Sequence, residues 1–133
     1  MDMERDELRK QRGREGEDVA AQFLERKGFK IIARNYRKPW GEIDIIAVKG
    51  DCVRFVEVKA VSREITGLDV SRETSGYRPE EQVHSAKLQK LARTAEMYMA
   101  STDDRRDFQI DVVGVFLDVK KRTARCRLLE QVL

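Results

Sequence analysis

Two apolar runs, Glu42 to Lys49 and Cys52 to Ala60, flank the pair Gly50-Asp51, and this signature limits what the chain can fold into more than any other feature. A Gly-Asp pair between runs rich in Ile, Val and Phe predicts a β-hairpin with a two-residue loop of the type that begins with glycine. Such a loop fixes the strand register. Lys49 then faces Cys52, Val48 faces Val53, Ile46 faces Phe55, Asp44 faces Glu57 and Glu42 faces Lys59. The period of two predicts Asp44, Glu57 and Lys59 on one face of the sheet, with Ile43, Ile45, Val56 and Val58 on a core face.

Facing residues on adjacent strands have Cβ atoms roughly 5 Å apart. Two ionised carboxylates at that distance repel by about 3 kcal/mol at an effective dielectric of ~20, and by under about 1 kcal/mol in bulk water. An apolar strand pair is destabilised by this arrangement unless positive charge sits between the carboxylates. Lys59 supplies part of that charge, and a divalent cation supplies more. Hard cations such as Mg²⁺ favour one or two carboxylates, waters and a phosphate oxygen, the composition of a metal-dependent phosphodiesterase site. The bland alternative is a charged ladder on a solvent face, where Glu42 and Lys59 form an exposed ion pair worth little. Against it, the charges interrupt near-continuous apolar runs, which are expected of strands buried on both faces.

At 133 residues the chain fits one domain with a real core. Its net charge is only +3, which permits nucleic-acid binding without demanding it. The bases cluster in Arg5 to Arg14, Arg26 to Lys38, Arg63 to Arg78 and Lys120 to Arg127. Cys52 and Cys126 form no Cys-x-x-Cys pair and read as small buried residues of two strands in a reduced compartment. A single histidine gives little support to zinc clusters or Ser-His triads. A charged N-terminus and the lack of a long apolar run predict a cytoplasmic protein with no membrane partner.

Along the chain, residues 1–12 are charged and aperiodic and predict a flexible arm, with a single domain over 13–133. A helix is expected from Gly13 to Lys27, ending at Gly28, with Val19, Ala20, Phe23 and Leu24 as its apolar stripe. Glu17 sits at the margin of that stripe, whereas Asp18 points away. Its simplest reading is a first-turn acid favoured by the helix dipole. Phe29 to Asn35 reads as a first strand and the hairpin as the second and third. Val61 to Pro79 is a long polar loop. A second helix runs from Glu80 or Ser85 to Ala100, with Lys87, Lys90 and Arg93 on its polar side. Phe108 to Phe116 and Ala124 to Leu129 complete the strands. A helix crossover between the third and fourth strands implies a parallel pair, hence an α/β fold with a mixed sheet flanked by helices.

Gly16-Glu17-Asp18-Val19-Ala20, Gly41-Glu42-Ile43-Asp44-Ile45-Ile46-Ala47 and Phe55-Val56-Glu57-Val58-Lys59 resemble segments of the YraN family, as do Arg78-Pro79-Glu80-Glu81 and the strand around Asp111-Val112-Val113. The resemblance spans almost the whole chain. It implies a restriction-endonuclease-like core in a superfamily that includes Holliday-junction resolvases. It also implies an Asp-x(n)-Glu-x-Lys set that binds Mg²⁺ or Mn²⁺ and cuts phosphodiesters. On this resemblance Asp44 and Glu57 are the metal carboxylates, Lys59 is the cation near the attacking water or phosphate, and Glu17 is a helix-borne acid. Ile43 stands where the superfamily often has proline. Val61 stands where the family usually has arginine, with Arg63 nearby as a substitute.

The expected function is a metal-dependent endonuclease acting on branched or irregular DNA. Arg63, Arg72 and Arg78 of the long loop, with Lys87 of the second helix, are expected to hold the DNA backbone without reading bases. The rival is a nucleic-acid-binding module that keeps the fold and does no chemistry. A homodimer is left open.

Overall fold

In the computed structural model, which describes residues 2–63 and 83–133, the first element is helix α1 (Asp2–Arg26). It begins at Asp2 rather than Gly13, so residues expected to precede the helix as a flexible arm have helical backbone. The physical reason lies in residue type: Glu, Leu, Arg, Lys and Gln, all good helix formers, outweigh the missing apolar period. A helix that is polar all round relies on side-chain pairs four apart; Gln11 Nε2 donates to Glu15 Oε1 at 3.5 Å. The C-terminus is where the sequence puts it. Gly28 takes φ 91°, its N–H donates to the Glu25 carbonyl at 3.0 Å, and the Phe29 N–H reaches the Leu24 carbonyl at 3.0 Å. That is a Schellman ending, with Phe29 and Leu24 buried in one cluster.

Strands β1 (Lys30–Lys38), β2 (Gly41–Lys49) and β3 (Cys52–Arg63) form an antiparallel meander. Helix α2 (Ser85–Ser101) precedes β4 (Asp107–Asp118), which pairs parallel to β3, and β5 (Thr123–Leu129) pairs antiparallel to β4. The sheet order β1-β2-β3-β4-β5 puts β3 at the centre. This is the expected mixed sheet flanked by helices, consistent with a restriction-endonuclease-like core. The hairpin turn also follows the sequence: Gly50 has φ 62°, Asp51 is not among the positive-φ residues, and Lys49 pairs with Cys52.

Two apolar clusters sandwich the sheet. Ala20 and Leu24 of α1 pack on Ile45, Ala47, Val56, Val113 and Val115. Leu91, Ala95 and Met99 of α2 pack with Ile43, Ile46, Val53, Phe55 and Ile110. Each fully buried Val, Leu, Ile, Phe or Met side chain contributes about 1.5–3 kcal/mol. Ile43 and Ile45 thus lie in opposite clusters, not on one shared core face. Strict alternation fails at Asp44, between them, where pairing of β2 with β3 ends.

Cys52 and Cys126 are free and lie on strands as expected, but each is half-buried rather than buried. Of the long loop expected from Val61 to Pro79, β3 claims the start through Arg63; residues 64–82 lie outside the described residues. Among the described residues, no helix is long and apolar enough to cross a membrane.

Candidate active site

The site arises from a split in the sheet. Pairing of β2 with β3 runs from Lys49↔Cys52 to Ile45↔Val56 and stops. Beyond that point β2 stays with β1 as far as Lys38↔Gly41, and β3 stays with β4 as far as Arg63↔Asp118. Backbone groups freed by such a split need other partners. Asp44 supplies one: its Oδ2 accepts the Val58 N–H at 2.8 Å. The cleft therefore opens between interior strands, not at an edge of the sheet.

Glu57, the residue before Val58, is 6% exposed. Its carboxyl lies within electrostatic reach of the Asp44 carboxyl in the same cavity. Lys87, reaching over from the first turn of α2, places Nζ 2.5 Å from Glu57 Oε1. Burial, then the charge of Asp44, pushes Glu57 up to about 7; Lys87 pulls the other way without offsetting them. Asp44 is also raised, chiefly by burial, against the lowering effect of the Val58 N–H. Burial alone would lower Lys87, but the hydrogen bond and charge of Glu57 hold it above the usual lysine value.

Glu17 arrives from the other side. Gly16 is buried against β3 so tightly that a Cβ there would stand 2.5 Å from the Ala60 Cβ. This close approach of helix to strand brings the next residue to the cleft. Glu17 is raised by burial and then by the charge of Asp44, and its Oε1 is buried without a hydrogen-bond partner among the described residues. Asp18 points outward, as expected, and pairs with Arg34 at 2.7 Å.

One cavity of about 440 Å³ collects these groups: Glu17, Asp44, Glu57 and Lys59 line it together with Glu42 and Lys87. The four residues singled out by the sequence are therefore brought together. Lys59 is exposed there and makes no ion pair with a described carboxylate. The expected Glu42–Lys59 pair is replaced by a loose Arg37–Glu42 contact of 3.9 Å, because the β2–β3 register ends before it reaches them.

The sequence puts Lys87 among the bases holding the DNA backbone; in the structure its ammonium is committed to Glu57. The signal for this role is position: four residues before Leu91, it borders the face of α2 that packs on the sheet. Arg72 and Arg78 lie outside the described residues, as does the Arg78-Pro79-Glu80-Glu81 segment; of Arg63 only the backbone is described.

The donor set fits a hard divalent cation: two neighbouring carboxylates, both raised chiefly by burial, with a buried oxygen of Glu17 in the same cavity that has no hydrogen-bond partner among the described residues. Among the described residues no three carboxylate, imidazole or thiol donors form a metal-binding group. A two-carboxylate site of the Mg²⁺ kind needs no third, since waters and phosphate oxygens complete the shell.

Comparison with known proteins points to one family. The family described as Uncharacterised protein family UPF0102 matches residues 16–115. A UPF0102 protein of Moorella thermoacetica is 37% identical over 123 residues, covering 92% of this chain and 94% of its own. One from Campylobacter concisus is 38% identical over 104 residues, covering 77% of this chain and 81% of its own. One from Campylobacter jejuni subsp. jejuni (strain RM1221) is 36% identical, covering 78% and 82%.

Proposed function

For a chain that belongs to the UPF0102 family, the YraN-type proteins, we propose the function of a divalent-cation-dependent endonuclease that hydrolyses phosphodiester bonds of branched or irregular DNA. The observation that carries this reading is the Asp44–Glu57 contact in a cleft where β2 leaves β3. A binding module has no use for a buried Glu57 set beside a half-buried Asp44, and keeping two carboxyls out of water costs stability.

Asp44 and Glu57 hold the cation, which when bound supplies positive charge at the phosphodiester and a nucleophilic water at neutral pH. Val58 fixes the Asp44 carboxylate through its N–H, so one oxygen is aimed and the other is left for the ligand. Glu17, with its unpaired Oε1, orients a water at the rim of the same cavity. Lys59, exposed and uncommitted among the described residues, adds positive charge where negative charge grows in the transition state. Lys87 acts on the pair itself, neutralising Glu57 while the cleft is without a cation.

The test is cleavage of duplex, single-stranded, flap and four-way DNA in Mg²⁺ or Mn²⁺, with Asp44→Ala as control. Wild type is expected to cut at least one irregular substrate and the variant none. Lys59→Ala should keep DNA affinity and lose most of its cleavage, because its charge acts in the transition state more than in ground-state binding. Tight DNA binding with no cutting in either ion would make the protein a binding module.

A further inference from the structure

The turn between β1 and β2 carries the chain's single tryptophan, and Trp40 is 45% exposed. A large aromatic left that open on a tight turn contributes little to the core and offers a flat apolar face. Its sequence neighbours Lys38, Pro39 and Gly41 line a second cavity, about 290 Å³, that also reaches Glu57 and Lys90. Glu42, Glu57 and Lys87 line both this cavity and the carboxylate cleft, so the two adjoin. The turn is firmly seated: Gly41 lies against Thr94 of α2 with no room for a Cβ. Lys38 and Lys90 are exposed beside it.

A planar apolar face, flanking ammonium groups and a continuous path to a phosphodiester site together match one chemistry, a nucleobase with its phosphates. An apolar peptide would use the indole but neither exposed ammonium, of which Lys38 rests 5.5 Å from the Tyr36 ring centre. Resting on the nuclease reading, we infer that Trp40 is a stacking platform for an unpaired base of the substrate strand, with Lys38 and Lys90 holding the phosphates between it and the cleft. The base must be unpaired because bases inside a duplex already have neighbours on both faces. Trp40 lies four strand residues before Asp44, about 13 Å at ~3.3 Å per residue. That is a few nucleotides at the ~3.4 Å spacing of stacked bases along one strand. The site would thus prefer a strand that leaves a duplex close to the cut.

Because Trp40 is the sole tryptophan, its fluorescence reports this site directly. The full chain, without divalent ions so that nothing is cleaved, is titrated with single-stranded, flap and blunt duplex oligonucleotides. Anisotropy of labelled DNA is followed in parallel. Single-stranded and flap DNA should quench the emission strongly, and blunt duplex weakly. Trp40→Ala should bind the first two about 5- to 150-fold less tightly, the range for loss of one stacked base, and bind duplex within about two-fold of wild type. Lys38→Gln with Lys90→Gln should keep the quench at saturation and flatten the log–log salt dependence by about one unit for each phosphate no longer neutralised. DNA bound by anisotropy without any quench, or Trp40→Ala weakening all DNAs equally, would overturn the platform while leaving the nuclease reading intact. No binding in either readout would overturn both. Quenching that tracks protein concentration without DNA, with faster sedimentation, would assign Trp40 to contact between two copies and overturn the proposal.

Discussion

Asp44 does two opposed things in the cation-free protein, and two substitutions separate them. It accepts the Val58 N–H, which stabilises the fold, and it places a charge against buried Glu57, which does not. Asp44→Asn keeps a carbonyl oxygen for Val58 and removes the charge; Asp44→Ala removes both. Glu57 moves from 4.5 to about 7 on folding, a gap equivalent to about 3 kcal/mol. Its folded-state value is raised, so the native state binds more protons than the unfolded chain between those limits. Wild-type stability therefore falls as pH rises from about 5 to about 8. Glu17 and Asp44, also raised, add to the loss from the lower end of that window, while Lys87 titrates above it.

Burial is the largest cause for Glu57 and survives either substitution, so relief of the Asp44 charge restores only part of the gap. Asp44→Asn should be more stable than wild type by about 1–2 kcal/mol at pH 8 and nearly equal at pH 5, where the pair already shares a proton. Asp44→Ala strands the Val58 N–H at a cost of about 1–3 kcal/mol. It should be less stable at pH 5 and close to wild type at pH 8. Urea denaturation at both pH values measures this, repeated with Mg²⁺, which should stabilise only the wild type. An Asp44→Asn variant less stable at pH 8, or a pH-independent difference, would refute the reasoning.

Lys87→Met should destabilise the cation-free protein by about 1 kcal/mol at pH 8, a small figure because the side chain is largely exposed, and excess Mg²⁺ should restore it in thermal melts. Gly16→Ala gains helix propensity but drives a methyl into Ala60, for a net loss of up to about 2 kcal/mol. Gly13→Ala, with nothing within 4 Å, should gain about 0.5–1 kcal/mol in the same denaturation series. Arg54→Ala should cost about 3–5 kcal/mol, since Asp111 is fully buried and loses its 3.0 Å ion pair; equal stability by denaturation would show that Gln109 and the Gln131 N–H suffice to hold it.

The hairpin and the parallel crossover were legible in the sequence because each follows from local rules of turn chemistry, period and helix ending, whereas the meeting of Glu17, Asp44, Glu57 and Lys59 was implied by the resemblance to the YraN family. The failures lie where tertiary packing overrides them. Aperiodic charge in residues 2–12 hid a helix, since propensity and pairs four apart leave no apolar stripe. Alternation placed Ile43 beside Ile45, but the strands part at Asp44 and Ile43 joins the α2 cluster. Lys87 at Glu57 depends on how α2 crosses the sheet, and Gly16 at Ala60 on how closely α1 approaches it. No local pattern encodes either.

The nuclease reading depends on Asp44 and Glu57 forming a divalent-cation site. Mn²⁺ binding followed by electron paramagnetic resonance at pH 7.5 tests it without any DNA or cleavage. One Mn²⁺ per chain is expected, displaced by Mg²⁺, with binding abolished in Asp44→Asn and in Glu57→Gln and retained in Lys59→Ala. Mn²⁺ bound equally well by both carboxylate variants, or not bound by the wild type at millimolar concentration, would contradict it.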